Sequence, residues 1–387
     1  MDGLADDSFS LWERLRLLLD ANPKCLRLKH DAFQKPFAGV AGRLHFRSKE
    51  PCIPACQNHS HQEVIMPTAL ITGGHSGIGF ECAKQLASDT AYSLVLAGRN
   101  MEKIEAAAQK LRTEYNADVS ALKLDTSSLS SVRDAAKNFR AMLNDDEAAP
   151  FGALLCNAGG YFGGSPSYSA DGYEETFATN CLGHFLLIEL LVDHMADNGR
   201  IVFTASGTHD PATTDGRMVG IAADPDANSL ANEGRGGRKP LSAGKRYSTS
   251  KLCTMLYAYE LHRRLRRNGS SISSIAFDPG AIPETGLMRT IPKPLQWLAR
   301  TRFARWVTKQ IGVTQGCLRF SGTSLAKLAT GPGYKDASGK YFQSNKGSLS
   351  ERRSSKLSYD EGRAVKLWND SKNLVRLRHG EEAVRLR

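Results

Sequence analysis

The sequence predicts an α/β fold, a three-layer sandwich built on a mostly parallel central sheet. Three features carry this prediction. From Pro67 onward, short apolar runs alternate with longer stretches rich in helix formers. The runs are nearly continuous in hydrophobicity, as strands covered on both faces are. A glycine-rich turn joins the first run to the first helix.

TALIT (68–72) reads as a buried strand, GGHSGIG as its turn and FECAKQLAS as the following helix. SLVLAG (93–98) is a second strand, followed by the helix MEKIEAAAQKLRTEY. VSALKLD (119–125) and SLSSVRDAAKNFRAML form the third pair. FGALLCNAG (151–159), RIVFTAS (200–206) and SSISSIAFDPG (270–280) supply strands four to six. Right-handed crossovers then put the carboxyl ends of all strands along one edge, where ligands bind in a Rossmann-type sheet.

Residues 1–66 read as an N-terminal extension, partly helical or partly disordered. Within it FSLWERLRLLL is amphipathic, with Phe9, Trp12, Leu15 and Leu19 on one side. Residues 67–330 form the catalytic domain, with an insertion at 207–246 and substrate loop or helices at 281–312. Both follow strand ends, the place for substrate walls or lids. The second includes LQWLARTRFARWV, whose Trp297, Phe303 and Trp306 read as a core-facing stripe or an apolar pocket lining. Residues 331–387 are expected to pack on this domain as a C-terminal extension with a basic tail.

The chain has 387 residues and a formal net charge of +11, concentrated near 300–311, near 352–356 and at the C-terminus. That excess reads as a solvated basic face, with peripheral membrane contact as an alternative. No nucleic-acid motif is present, so no nucleic-acid partner is expected. No apolar run approaches membrane-spanning length and the acidic N-terminus does not read as a secretory signal, so a cytoplasmic or other intracellular location is expected. Eight scattered cysteines suggest reduced thiols rather than a disulfide framework. Cys52, Cys56, His59 and His61 are crowded in a spacing unlike common zinc sites, and no metal is expected.

In the turn after strand one, Gly73, Gly77 and Gly79 follow Thr72 in the order T-G-x-x-x-G-x-G. Side-chain-free positions let backbone approach a pyrophosphate, and the helix N-terminus adds amide donors and positive potential. His75, Ser76 and Ile78 belong to the same turn. After strand two, where NAD sites carry an acid, stands Arg99, with no acid beside it to oppose a 2′-phosphate. The cofactor expectation is therefore NADP(H). Asp125 and Thr126 follow strand three, near the adenine edge, and Asn157, Ala158 and Gly159 follow strand four.

Tyr247 and Lys251 stand four apart in YSTSKLCTMLYAYELHRRL, on one helix face. There the ammonium is expected to lower the phenol's pKa, preparing it to exchange a proton with a carbonyl or alcohol oxygen. Ser206, ending strand five, is placed to orient that oxygen. His75 and His209 are further candidates near cofactor and substrate, whereas His184, Cys156 and Cys181 read as packing.

This succession resembles the short-chain dehydrogenase/reductase family. TGGHSGIG (72–79), NAG (157–159), Asn180 in TFATNCLGHF, Ser206, YSTSK (247–251) and DPG (278–280) match its motifs in order over roughly 67–330. The resemblance implies a catalytic group of Ser206, Tyr247, Lys251 and Asn180, the asparagine supporting a water chain to the lysine. It implies that Lys251 also holds the nicotinamide ribose, with Pro279, Gly280, Ile282 and Thr285 along the nicotinamide. It further implies a homo-oligomer paired through helices flanking strands four and five.

Within the family, the chain is most similar to retinol-dehydrogenase-like and light-dependent protochlorophyllide-reductase-like members. ETGLMR after the Pro-Gly and the late AVKLWNDSKNLVRL carry the second likeness. Those reductases act on a tetrapyrrole carbon–carbon double bond and carry a cysteine where this chain has Ala281. The expected activity is NADP(H)-dependent reduction of an apolar or aromatic ketone or aldehyde, or oxidation of the alcohol. Reduction of an activated double bond is the enzymatic alternative, and a weakly active NADP-binding regulatory protein is the other.

Overall fold

The computed structural model describes residues 66–89, 91–145, 149–237, 239–282, 301 and 309–387. The N-terminal extension with its amphipathic segment and Cys/His cluster, Thr285, Trp297, Phe303 and Trp306 lie outside the described residues.

From Thr68 to Cys156 the chain follows a strict strand–helix alternation. It runs β1 (Thr68–Thr72), α1 (Gly77–Asp89), β2 (Ser93–Gly98), α2 (Met101–Tyr115), β3 (Val119–Lys123), α3 (Leu129–Asp145) and β4 (Phe151–Cys156). Helix α4 follows as Glu175–Phe177, a wider π turn at Ala178–Leu182, and Gly183–Leu191. Strand β5 (Met195–Thr204) leads through two short helices, α5 (Thr214–Val219) and α6 (Ala227–Ala231), to the long α7 (Ala243–Arg267). The remainder is β6 (Ser273–Asp278), α8 (Leu318–Thr330), β7 (Tyr341–Asn345), β8 (Ser348–Arg352) and α9 (Glu361–Leu374).

The sheet order is β3-β2-β1-β4-β5-β6-β7-β8. Neighbours from β3 to β7 are parallel, and β8 closes the edge antiparallel to β7. The strand order therefore reverses direction between β1 and β4, which opens a crevice outside their carboxyl ends. The segment beyond 330 contributes two strands to this sheet as well as a packing helix.

One face of the sheet packs α1, α2 and α8 through Cys82, Leu86, Ile104, Leu111, Leu325 and Leu328. The other packs α3, α4 and α7 through Phe139, Phe185 and Leu256, with α9 and its Trp368 outside α4 and α7. Glu175–His194 is long and apolar enough to cross a membrane, yet 89% of it is buried inside the protein as a core helix. All nine residues of Gly183–Leu191 are buried.

Residues 354–387 cover the outer faces of α4 and α7. Trp368 packs edge-on against Phe185 at 4.9 Å, and the Arg264 guanidinium lies 4.9 Å from its ring centre. Tyr257 bonds Ser371 at 2.5 Å, and the Ala383 and Leu386 backbone bonds Glu189 and Arg264. The chain's own C-terminus thus covers part of the outer surface of the helices that follow β4 and β5.

Trp368→Ala removes the largest of these contacts. It should cost about 3–5 kcal/mol of unfolding free energy, the usual penalty for emptying a buried aromatic site, read as a lower urea midpoint.

Candidate active site

Thr72 ends β1 and its hydroxyl gathers the strand ends. It accepts from the Asn157 and Ala158 backbone N–H groups, both at 2.9 Å, and lies 2.9 Å from His184 Nε2. Asn157 Nδ2 donates to the Thr72 carbonyl at 3.0 Å, and its Oδ1 accepts from Thr204 at 3.4 Å. Asn157 thus ties β1, β4 and β5 together.

The glycine turn is shaped by two distinct constraints. Gly73 (φ 67°) and Gly77 (φ 58°) occupy the left-handed region that disfavours other residues. A Cβ on Gly79 would lie 2.5 Å from the Gly73 carbonyl oxygen and 2.6 Å from Asn157 Nδ2, so α1 is seated directly on the turn. A Cβ on Gly77 would meet nothing within 4 Å: this position faces open space. A backbone cradle with an open side, closed below by glycine contacts, fits a pyrophosphate. Ser76 is exposed, Ile78 is buried, and the His75 ring lies over Gly98, where a Cβ would stand 2.8 Å from its Nδ1.

Arg99 is exposed at the end of β2, while the adjacent Asn100 caps α2 by accepting from Lys103 N at 2.9 Å. The sequence shows no acid beside Arg99, but the fold brings one from α4. Burial and the nearby Asp125 charge raise the Glu175 pKa, with the Arg99 charge opposing them. Asp125 accepts from Ser127 N at 3.0 Å and from its hydroxyl at 2.7 Å in a tight turn. Thr126 is buried, its carbonyl so close to Gly183 that a Cβ there would stand 2.0 Å away.

Ser206 lies two residues beyond β5 and caps a short turn, accepting from Thr208 N at 3.3 Å. Its hydroxyl acts to lower the Tyr247 pKa. Tyr247 is buried on α7, and the Lys251 ammonium lies 5.7 Å from its ring centre while donating to the Thr204 carbonyl at 2.8 Å. The two do share a helix face, but the phenol's pKa moves opposite to expectation. Burial raises it, Ser206 lowers it and the Asp278 carboxylate raises it again. Burial also pulls Lys251 down to about 8, against the opposing effects of Cys181 and Asp278.

Asn180 sits within the π turn of α4. Its Nδ2 donates to the Gly160 carbonyl at 3.0 Å and to Ser250 Oγ at 2.9 Å, and its Oδ1 accepts from Gly160 N at 2.9 Å. A Cβ on Gly159 would fall 3.0 Å from Asn180 Oδ1 and 3.8 Å from Lys251 Nζ, so these three groups converge. Beyond β6, Gly280 (φ 75°) turns the chain, and Asp278 accepts from Gly280 N at 2.9 Å. Ser321 donates to the Pro279 carbonyl at 2.8 Å, and Ile282 is buried.

Several residues that the sequence does not single out complete the site. Asp278 also accepts from Tyr341 at 3.1 Å and Gln343 at 2.9 Å, anchoring the Pro-Gly turn to β7. Tyr161 faces Tyr247 with ring centres 5.7 Å apart. His209 is structural: it bonds the Ser206 carbonyl through Nδ1 at 2.6 Å and accepts from Ser355 N through Nε2 at 3.1 Å. Burial lowers the His184 pKa to about 4, against an opposing effect of the Asn180 backbone. Tyr257 belongs to the core contacts with Phe185 and Trp368.

A sequence profile of the short chain dehydrogenase family matches residues 67–214. Among curated proteins, the chain is 35% identical over 323 residues to protochlorophyllide reductase A of Oryza sativa subsp. japonica, covering 80% of each. It is 33% identical to short-chain dehydrogenase TIC 32 A of Brassica napus, covering 80% of this chain and 88% of that one. The chain belongs to the short-chain dehydrogenase/reductase family. Among solved structures, an uncharacterised protein of Mycobacterium Paratuberculosis superposes with a TM-score of 0.56 at 26% identity, covering 80% of this chain and 93% of that one. The fold also matches the Pseudomonas aeruginosa RhlG/NADP active-site complex, with a TM-score of 0.54, 22% identity and coverage of 74% and 98%. The family's chemistry is hydride transfer, and this chain is an oxidoreductase of that kind.

The buried histidines make stability depend on pH. His184 and His209 both have folded pKa values below 6.5 because burial disfavours their charge. The unfolded chain therefore binds protons first, and stability is full above about pH 6.5 and falls with decreasing pH, for His184 down to about pH 4. Each unit of acidification in that window should cost up to about 1.4 kcal/mol per histidine. Urea melts across this range should show the slope, and His184→Gln should remove its share.

Proposed function

We propose that this protein uses NADP(H) to interconvert an apolar or aromatic carbonyl compound and its alcohol, with Tyr247 as the acid/base. The observation that carries the reading is the buried Tyr247 phenol, with the Lys251 ammonium 5.7 Å from its ring centre and the Ser206 hydroxyl acting to lower its pKa. When bound, the nicotinamide supplies the hydride in reduction or accepts it in oxidation.

The turn at Gly73, Gly77 and Gly79 would hold the pyrophosphate, and Arg99 the 2′-phosphate. His75, Ser76, Ile78, Asp125, Thr126, Asn157, Ala158 and Gly159 would line the remaining nucleotide edge, with Pro279, Gly280 and Ile282 beside the nicotinamide. The structural matches named as NADP complexes agree with this cofactor.

Ser206 and Tyr247 would grip the carbonyl oxygen from two sides. Burial and Asp278 keep the phenol neutral, so Tyr247 holds a proton ready for an oxygen that gains negative charge. Lys251 remains charged below about pH 8 and stabilises the phenolate left behind. Asn180 holds Gly160 in place beside Lys251 and serves the proton path to it.

Reduction of an activated carbon–carbon double bond is a second reading, favoured by the 35% identity to a protein named protochlorophyllide reductase. Mass analysis of products from a conjugated ketone separates an allylic alcohol from a saturated ketone.

Two variants test the proposal. Tyr247→Phe should lower turnover by at least about a hundredfold, the contribution of a positioned proton donor, while NADPH affinity stays within about threefold. Substantial retained turnover would sink the assignment. Arg99→Ala should weaken NADPH binding by about 10–100-fold, the loss of a charge-assisted contact, and leave NADH binding nearly unchanged in fluorescence titrations.

A further inference from the structure

We infer that Arg246 is a positioning residue, which sets the loop Gly160–Gly164 as a substrate-side wall against Tyr247 through its buried junction with Glu174. The inference rests on the oxidoreductase reading above and extends it to the residue immediately before Tyr247.

Arg246 and Glu174 are both 2% exposed in their side chains, and Arg246 Nε lies 3.0 Å from Glu174 Oε1, an ion pair without hydrogen-bond geometry at that nitrogen. The guanidinium does more than neutralise an acid. Its NH1 donates to the Leu241 carbonyl at 2.8 Å, and its NH2 donates to the carbonyls of Phe162 at 3.1 Å and Gly164 at 2.9 Å. Glu174 in turn accepts from Phe177 N at 2.9 Å and Thr176 Oγ1 at 2.7 Å, capping the helix that carries Asn180. Four segments therefore meet at one planar fork: the start of α7, the loop after β4, the start of α4 and the end of the 207–246 insertion.

The loop is pinned at both ends. Asn180 holds Gly160 by two bonds, and Arg246 holds Phe162 and Gly164. Between these pins stands Tyr161, its ring centre 5.7 Å from that of Tyr247. A carbonyl compound bonded to Tyr247 and Ser206 must fit against this ring, so the distance the fork maintains governs how the substrate is turned toward the hydride donor. A fixed guanidinium can span two loop carbonyls and a carboxylate at once, whereas an ammonium on a flexible stem cannot keep that geometry. A buried pair of this kind gives little net stability against an apolar substitute but does fix a register.

The test uses the full-length protein with NADPH and three prochiral aryl ketones: acetophenone, propiophenone and 2-acetylnaphthalene. Arg246→Lys keeps the charge and loses the fork. It should raise KM about tenfold, change kcat by less than about threefold, erode the ratio of alcohol enantiomers and leave NADPH affinity within about twofold, as expected for a displaced wall. Tyr161→Ala leaves the ion pair intact and should produce the same signature, and the two changes together should be less than additive. If Arg246→Lys does not fold, Tyr161→Ala decides: unchanged KM and enantiomer ratio in that variant overturn the wall. A folded Arg246→Lys protein with wild-type KM and enantiomer ratio, or with NADPH affinity lost in proportion, also overturns the proposal. A wild-type protein that reduces none of the three ketones overturns this inference together with the carbonyl reading, whereas an active wild type with an unaffected Arg246→Lys overturns the inference alone.

Discussion

The site depends on how the Thr72 hydroxyl distributes its single proton and two lone-pair directions. It receives the Asn157 and Ala158 N–H groups and stands within reach of both His184 Nε2 and the Leu155 carbonyl. His184 lies on the same helix as Asn180. One hydroxyl thereby couples the glycine turn, the NAG loop and the helix that presents Asn180. The coupling is short because the strand order reverses here, putting β1 directly beside β4. The π turn at Ala178–Leu182 lies on the same helix, and a widened turn of this sort re-aims groups that a regular helix would commit to its own ladder.

Close approach of backbone elements holds these parts at working distance. Gly79 lets α1 rest on the turn that it follows, and Gly183 lets α4 rest on the Thr126 carbonyl. Both positions sit where a methyl group would push a helix away from the crevice. The nucleotide end and the proton-handling end are consequently held by separate glycines on separate helices. Small residues set these distances and the Thr72 network fixes the angles.

The strand–helix alternation, the glycine turn and the Tyr247–Lys251 spacing were legible because each is a local pattern. Strand β1 is buried at all five positions, and its apolar Ala69–Ile71 centre announces that directly. Strands β7 and β8 were not legible as sheet members: YFQSN and SLSER are polar, and β8 has no fully buried residue. Their pairing comes from β6 and the sheet edge rather than from their own composition. The π turn left no periodic trace in TFATNCLGHF. Arg246 and Glu174 looked like any surface charges, because burial of a charged side chain is decided by segments distant in sequence. Glu175 escaped notice for the same reason, since its approach to Arg99 spans two separate elements.

The direction of the Tyr247 shift shows most clearly what spacing alone leaves undetermined. A spacing of four does bring Lys251 to the tyrosine's ring, but the ammonium is spent on the Thr204 carbonyl, and desolvation of the phenol prevails. Burial drives both groups toward neutrality, raising the phenol and lowering the ammonium. Asp278 breaks that symmetry: its carboxylate favours the charged lysine and disfavours a charged tyrosine. The carboxylate is held for this by Tyr341, Gln343 and the Gly280 N–H, so the Pro-Gly turn after β6 and the field at the tyrosine are set by one group. At neutral pH the arrangement is a protonated phenol above a charged lysine, the state from which a proton can pass to a carbonyl oxygen while positive charge remains to steady the phenolate.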